Sequence, residues 1–191
     1  SVCIKKAPDG KPLELIAMAE ENARIASLRK ARSIADDLPA EMQERFSLFR
    51  APESIGAFDI STIQGSESVG AFVFLKHGEF VKSKYRHLRI KGTSGVDDYA
   101  MMRETIERVV MNLDEDIPDL LIIDGGAGQL AVALRVFAEL GITRDIVGLA
   151  KKPDRIFLPD GSAIDISDSS RSSLLLRRIR DEVHRFAITY H

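Results

Sequence analysis

The sequence predicts an α/β fold, with a mixed sheet that opens as an antiparallel meander and continues in parallel strands, flanked by helices and preceded by a helical lead-in. Three observations predict it. From Ile55 the pattern turns to strands, and "IGAFDIS" sets successive side chains on opposite faces. "DLLIIDGG" shows no polar alternation, as expected of a central strand buried on both faces. Between and after such runs, apolar residues recur at helical spacing.

The elements follow in order. "SVCIKKAPDGKP" reads as a short strand and a Pro-Asp-Gly turn. From Leu13 to about Ile34, Leu15, Met18, Ala19, Ala23, Ile25 and Leu28 recur at helical spacing among strong helix formers. "ADDLPAEMQERFSLFRAPES" holds two prolines and predicts a break, a short helix and a connector. Residues 1–54 are therefore assigned to a lead-in and connector, and residues 55–191 to the main domain. There, Ile55, Ala57, Asp59 and Ser61 share one strand face, and Gly56, Phe58 and Ile60 the other. "SVGAFVFLKHGEFVKSKYRHLRIKG" gives a strand, a turn at His77-Gly78 and a second strand carrying Lys82, Lys84, Arg86, His87, Arg89 and Lys91. "DDYAMMRETIERVVMNL" is a helix with acidic residues at its start, where they complement the helix dipole. "AGQLAVALRVFAELG" is a helix closed by Gly141, and "DIVGLAK" a buried strand. A hairpin turns at Asp160-Gly161, and "SSRSSLLLRRIRDEVHRFAIT" forms the closing helix.

Composition removes several function classes. With 191 residues, 45 % hydrophobic and 29 % charged, the chain can bury a core. No apolar run nears the roughly eighteen residues that cross a bilayer, so no membrane span or cleaved signal is expected, and the cytoplasm is the expected location. The single cysteine, Cys3, cannot close an intramolecular disulfide. A net charge of -2 gives no global attraction to nucleic acid, so any such binding must use local basic patches.

Asp124 sits at the carboxyl end of the central strand, where open α/β sheets place their ligands. Beside so apolar a strand, its charge needs a cation, a metal or a helix N-terminus. Gly125, Gly126, Gly128 and Gln129 form the loop that follows, which lacks the Lys-Ser/Thr ending of a P-loop. Asp59 lies inside a strand, where aspartate is disfavoured. Two such carboxylates on neighbouring strands repel unless a divalent cation bridges them, and magnesium or manganese suits an oxygen-rich site. The competing reading pairs one of the two aspartates with an arginine in an inert network and lets Asp124 cap the following helix or order its loop. On the last helix, Leu175, Leu176, Ile179, Val183 and Phe186 form the core face, leaving Arg177, Arg180, Asp181 and His184 on the opposite arc. Neighbouring arginines disfavour a protonated His184 and favour metal ligation or proton shuttling.

"FDISTIQGSES", "GVDDYAMMRE", "PDLLIIDGGAGQL", "VGLAKKPDRIFLP" and "LLLRRIRDEVHRFAITYH" resemble, in order and context, the C-terminal half of UvrC, the bacterial nucleotide excision repair endonuclease. The resemblance covers nearly the whole chain. It implies an RNase H-like fold with an Asp-Asp-His site that maps onto Asp59, Asp124 and His184, holding magnesium or manganese, with Asp98 as a further carboxylate unless it caps its helix. It implies hydrolysis of a phosphodiester on the 5′ side of a lesion in damaged double-stranded DNA, leaving a 3′-hydroxyl and a 5′-phosphate, with UvrB as a partner in the full-length protein. Lys82, Lys84, Arg86, Arg89, Lys91, Lys151, Arg177 and Arg180 are the candidates for phosphate contacts. The glycine loop would keep side chains away from the scissile phosphate. Ser61-Thr62-Ile63 stands where the family usually has Ser-His-Thr, and Ala127 where it usually has lysine. A catalytically weakened DNA- or partner-binding module of the same fold is therefore the second reading. The chain reads as an excised domain, expected to be monomeric.

Overall fold

A computed structural model describes residues 11–63, 67–90, 98–113 and 116–189. The strand expected in the first twelve residues and the nominated Lys91 lie wholly or largely outside that set. The described elements are α1 (Lys11–Phe46), β1 (Ser54–Ile63), β2 (Glu67–Lys76), β3 (Glu79–Phe80), a 3-10 turn (Lys82–Lys84), β4 (Arg86–Ile90), α2 (Asp98–Val110), β5 (Leu120–Asp124), α3 (Ala127–Glu139), β6 (Asp145–Ala150), β7 (Arg155–Phe157), β8 (Ala163–Asp165) and α4 (Arg171–Ile188). The chain divides into two compact units, Ser1–Asp37 and Leu38–His191. In the first, the described side chains on α1, Ile16 and Met18 among them, are exposed.

The expected break at Pro39 does not occur, because α1 runs through it. A proline inside a helix forfeits one backbone hydrogen bond and crowds the preceding turn. Here Met42 and Phe46, each 1 % exposed, lock the following turns into the core and offset that loss. The compact unit that carries the sheet includes this last part of α1.

The sheet has the strand order β3-β2-β1-β5-β6-β7-β8, with β4 also paired to β2. β1 pairs antiparallel with β2 and parallel with β5, and β6 continues the parallel run beside β5. The expected second strand of the meander is divided. β2 pairs Leu75 with Phe80 on β3 but Phe72 with Arg86 on β4. The partner segment therefore carries three surplus residues, taken up by the 3-10 turn Lys82–Lys84. After that turn Tyr85 packs edge-on against Phe80 and Phe186, and its hydroxyl donates to Glu182 at 3.1 Å. The predicted turns hold. His77 and Gly78 take φ of 49° and 80°, the pair of positive values a two-residue hairpin needs, and Gly161 takes 85° in the β7–β8 hairpin.

Two apolar layers cover the sheet. On one face Ile55, Ala57, Leu120, Ile122, Val147 and Leu149 pack with Leu176, Ile179 and Val183 of α4. On the other, Phe58, Leu121 and Ile123 pack with Ile106 of α2 and Val136 and Phe137 of α3. The two-sided burial expected of β5 is present, and β1 is covered on both faces as well, with Ile55 and Ala57 in one layer and Phe58 in the other. The start of α4 is fastened to α1. Ser170 caps α4 by accepting from the backbone N–H of Ser173, and Glu41 accepts from that of Ser172 at 3.1 Å. Arg45 donates to Ser172 and Ser173 at 3.0 Å each and pairs with Asp168. These contacts hold Asp168 well below the usual carboxylate range, chiefly through the Ser170 and Arg45 hydrogen bonds.

Phe46 and Phe49 test where the folded unit starts. Phe46→Ala is expected to cost about 3–5 kcal/mol in urea unfolding, as for other buried aromatics. Phe49→Ala, at an 86 % exposed site, should change stability by less than about 0.5 kcal/mol.

Candidate metal centre

The site is built from strand register. β1 and β5 run parallel with Ala57 beside Ile122 and Phe58 beside Ile123, so one residue further Asp59 and Asp124 are side by side. Parallel neighbours in register point to the same face. That is the α4 face, since Ile55 and Ala57 precede Asp59 on it, and Leu120 and Ile122 precede Asp124. Each apolar stripe thus ends in a carboxylate where the chain leaves the core. α4 crosses that layer on Leu176, Ile179 and Val183, and His184, next after Val183, projects past its edge.

The three groups meet. His184 Nδ1 lies 3.0 Å from Asp59 Oδ2 and 3.9 Å from Asp124 Oδ2. One ligating atom from each residue lies within 4.8 Å of the others. A hard divalent ion, with bonds of about 2.1 Å, would hold its donors roughly 3–4 Å apart, so a small inward movement closes the set. The carboxylate side chains are 6 % and 20 % exposed and the imidazole 57 %, so the open side is that of His184. Two carboxylates and one imidazole could hold a divalent cation.

The electrostatics agree with a cation-seeking site. Burial pushes Asp59 above its ordinary range, and His184 offsets this only in part. Burial and the neighbouring Asp59 raise Asp124 to about 6, against the opposing charges of His184, Arg180 and Lys151. Asp59 is met by His184 rather than by an arginine.

The other predicted residues are placed as follows. Arg180, assigned to the polar arc, is 5 % exposed. It donates to Asp154 at 2.6 Å, Asp181 at 3.3 Å and the Ala150 carbonyl at 3.4 Å, and its Nε has no partner among the described residues. It follows Ile179 at the border of the buried stripe, where its long stem packs and its charge is neutralised by Asp154. It therefore fastens α4 to the turn after β6. Lys151, in that turn, is exposed, and its charge bears on Asp124. Arg177 donates to the carbonyls of Ile166 and Asp168. Lys84 pairs with Asp116 and lies 4.6 Å over the Phe74 ring, and Arg86 donates to Ser83 and Tyr85 carbonyls. Lys82 and Arg89 are exposed. Register puts Arg89 in the Ser61–Val69 row, one pleat past Asp59 on the same face. Asp98 opens α2, and its side chain, like that of Thr62, is outside the described set. Gly126 is the N-terminal cap of α3, Ala127 its exposed first residue, and Gly125 donates its N–H to the Leu149 carbonyl at 3.0 Å.

Gly148 escaped the sequence reading. A Cβ there would lie 3.0 Å from the Gly125 carbonyl oxygen and 3.2 Å from Leu130 Cβ. Its missing side chain lets the loop after Asp124 settle on β6. The signal was a glycine inside a strand.

Residues 43–188 match the family UvrC RNAse H endonuclease domain. The chain belongs to the UvrC family. It is 41 % identical over 200 residues to UvrABC system protein C of Syntrophus aciditrophicus, covering 95 % of this chain and 32 % of that protein. It is 41 % identical to UvrABC system protein C of Dictyoglomus thermophilum, covering 100 % and 32 %. The chain spans about a third of the length of the curated relatives it matches. The expected RNase H-like α/β fold is thus confirmed for this UvrC chain. Among solved structures it is similar to Bacillus subtilis endonuclease V (TM-score 0.44, 15 % identity, 80 % and 90 % of the two chains). It is also similar to the catalytic domain of human endonuclease V (TM-score 0.42, 17 % identity, 71 % and 74 %).

The raised Asp124 fixes a sign. A carboxylate whose folded pKa of about 6 exceeds its ordinary 3.8 makes the folded state bind more protons, so the metal-free fold loses stability as pH rises through that window. In chelator, Asp124→Asn should raise stability at pH 8 by up to about 3 kcal/mol and change little below pH 4, as read by urea unfolding.

Proposed function

We propose that this chain is the metal-dependent endonuclease module of a UvrC protein, hydrolysing one phosphodiester on the 5′ side of a lesion in damaged double-stranded DNA. The observation that carries this reading is the pair of buried carboxylates, Asp59 and Asp124, set side by side with His184 within reach of both. Burying two like charges without an intended counter-ion is costly. The family supplies the reaction class, and the donor set supplies its centre.

Asp59, Asp124 and His184 would hold magnesium or manganese. Bound there, the ion supplies charge for the phosphate and acidity for an attacking water. The residues of the chain do the rest. Asp59, on a central strand and nearly buried, is the fixed ligand. Asp124 is fixed at its backbone by the bond from Gly125 to Leu149. His184 lies on the exposed side and faces incoming solvent and substrate, a position suited to ligation or to passing a proton to the leaving oxygen. Lys151 brings an exposed positive charge toward the same centre, suited to a phosphate oxygen. Gly126 and Gly128, where an added Cβ meets nothing within 4 Å, leave the loop surface open for a phosphate to approach. UvrB is the proposed partner in the complete protein, and the bacterial cytoplasm the proposed location. No described helix is long and apolar enough to cross a membrane.

Incision by the complete protein on a lesion-bearing duplex, with UvrB and manganese, is the direct test. Asp59→Ala, Asp124→Ala and His184→Ala should each lower 5′ incision by about 100-fold or more, and calorimetry should show loss of manganese uptake. Equal incision by wild type and Asp124→Ala would overturn the assignment. DNA binding by a wild type that takes up no divalent ion would favour the non-catalytic module.

A further inference from the structure

Beside the metal centre, on the other side of the sheet, lies a pocket of about 270 Å³ lined by Ile60, Met101, Met102, Gly128, Gln129 and Val132. Its place follows from the chain. Ile60 comes directly after Asp59 and, by strand alternation, faces the α2–α3 layer. Gly128 and Gln129 lie in the first turn of α3, just after the Asp124 loop. Two of the segments that bring carboxylates to the ion therefore also wall this cavity.

Resting on the endonuclease reading, we infer that the pocket receives an unstacked nucleobase of the strand being cut, from the nucleotide next to the scissile phosphate. A strand whose phosphate lies over Asp59 and Asp124 crosses the carboxyl ends of β1 and β5, and its neighbouring nucleotide passes over the mouth of this cavity. The volume is at the low end for small-molecule sites and admits one flat ring system. The walls suit such a ring. Met101 and Met102 bring polarizable thioethers, which pack well on aromatic faces, and Ile60 and Val132 complete an apolar slot. Gly128 leaves the mouth clear, since a Cβ there would meet nothing within 4 Å.

The polar edge of the base meets Gln129, the one polar side chain among the described lining residues. Its amide carries both donors and an acceptor, so it can serve any base without selecting strongly among them. Gln129 lies back over Gly125, where a Cβ would come 1.7 Å from its Oε1. The missing side chain of Gly125 thus makes the space that the amide occupies. Unstacking costs a few kcal/mol and least where pairing is already disturbed, so a slot of this kind favours distorted duplex while reading little sequence.

The test places 2-aminopurine, which brightens on leaving the stack, at the nucleotides flanking the cut phosphate of a lesion-bearing duplex. The complete protein is studied with UvrB, with calcium in place of manganese to hold the substrate uncut. Wild type is expected to raise the emission several-fold at one of these positions. Val132→Phe and Val132→Trp, which fill the slot from α3, should abolish the rise. Both should lower incision about tenfold and leave manganese uptake unchanged. A rise that persists in both variants, or its absence when wild type is bound, overturns the pocket. Failure of wild type to take up manganese would instead overturn the metal centre, so the two readings fail separately.

Discussion

Two carboxylates at the same level on adjacent parallel strands govern this molecule. Asp59 and Asp124 each finish an apolar stripe on the face covered by α4. They repel each other across the strand spacing in a setting that penalises charge. Two cations, Arg180 and Lys151, bear on that repulsion from a distance, and the His184 ring touches Asp59 directly. This partial neutralisation leaves room for a divalent ion. A lysine or arginine in direct contact with both acids would have filled the centre with a permanent counter-charge.

The rest of the fold serves that arrangement. The β1–β5 register sets the two acids level, and the glycine at 148 lets the loop after Asp124 lie on β6. Arg180, bonded to Asp154 and the Ala150 carbonyl, ties the helix that bears His184 to the turn that bears Lys151. One buried guanidinium thereby joins the two segments that bring His184 and Lys151 to the site. Arginine suits this task better than lysine, because its fork reaches several acceptors at once.

Much of this was legible in the sequence, for physical reasons particular to each residue. Asp59 stood out because an aspartate within an apolar strand needs a partner, and Asp124 because it ends a strand with no polar alternation. His184 stood out because it left the apolar arc of a helix whose period was clear. Arg180 was not legible in the same way. A helical wheel gives direction but not depth, and a residue at the stripe border goes in or out according to whether a distant acid such as Asp154 waits for it. The division of the meander's second strand also depended on a long-range fact, the docking of Tyr85 against Phe186. Pro39 was read by its local cost, whereas burial of Met42 and Phe46 decided the outcome.

The fastening of α4 at its first turn has a mechanical consequence. Ser170, Glu41 and Arg45 fix where the helix begins, and fourteen residues later it delivers an imidazole to the acids. At 1.5 Å per residue that is a rigid arm of about 21 Å clamped at one end. Adding or deleting a single residue along it would swing His184 about 100° round the axis. The length of this arm therefore decides whether the imidazole meets the two acids, although the residues that set it lie far from them.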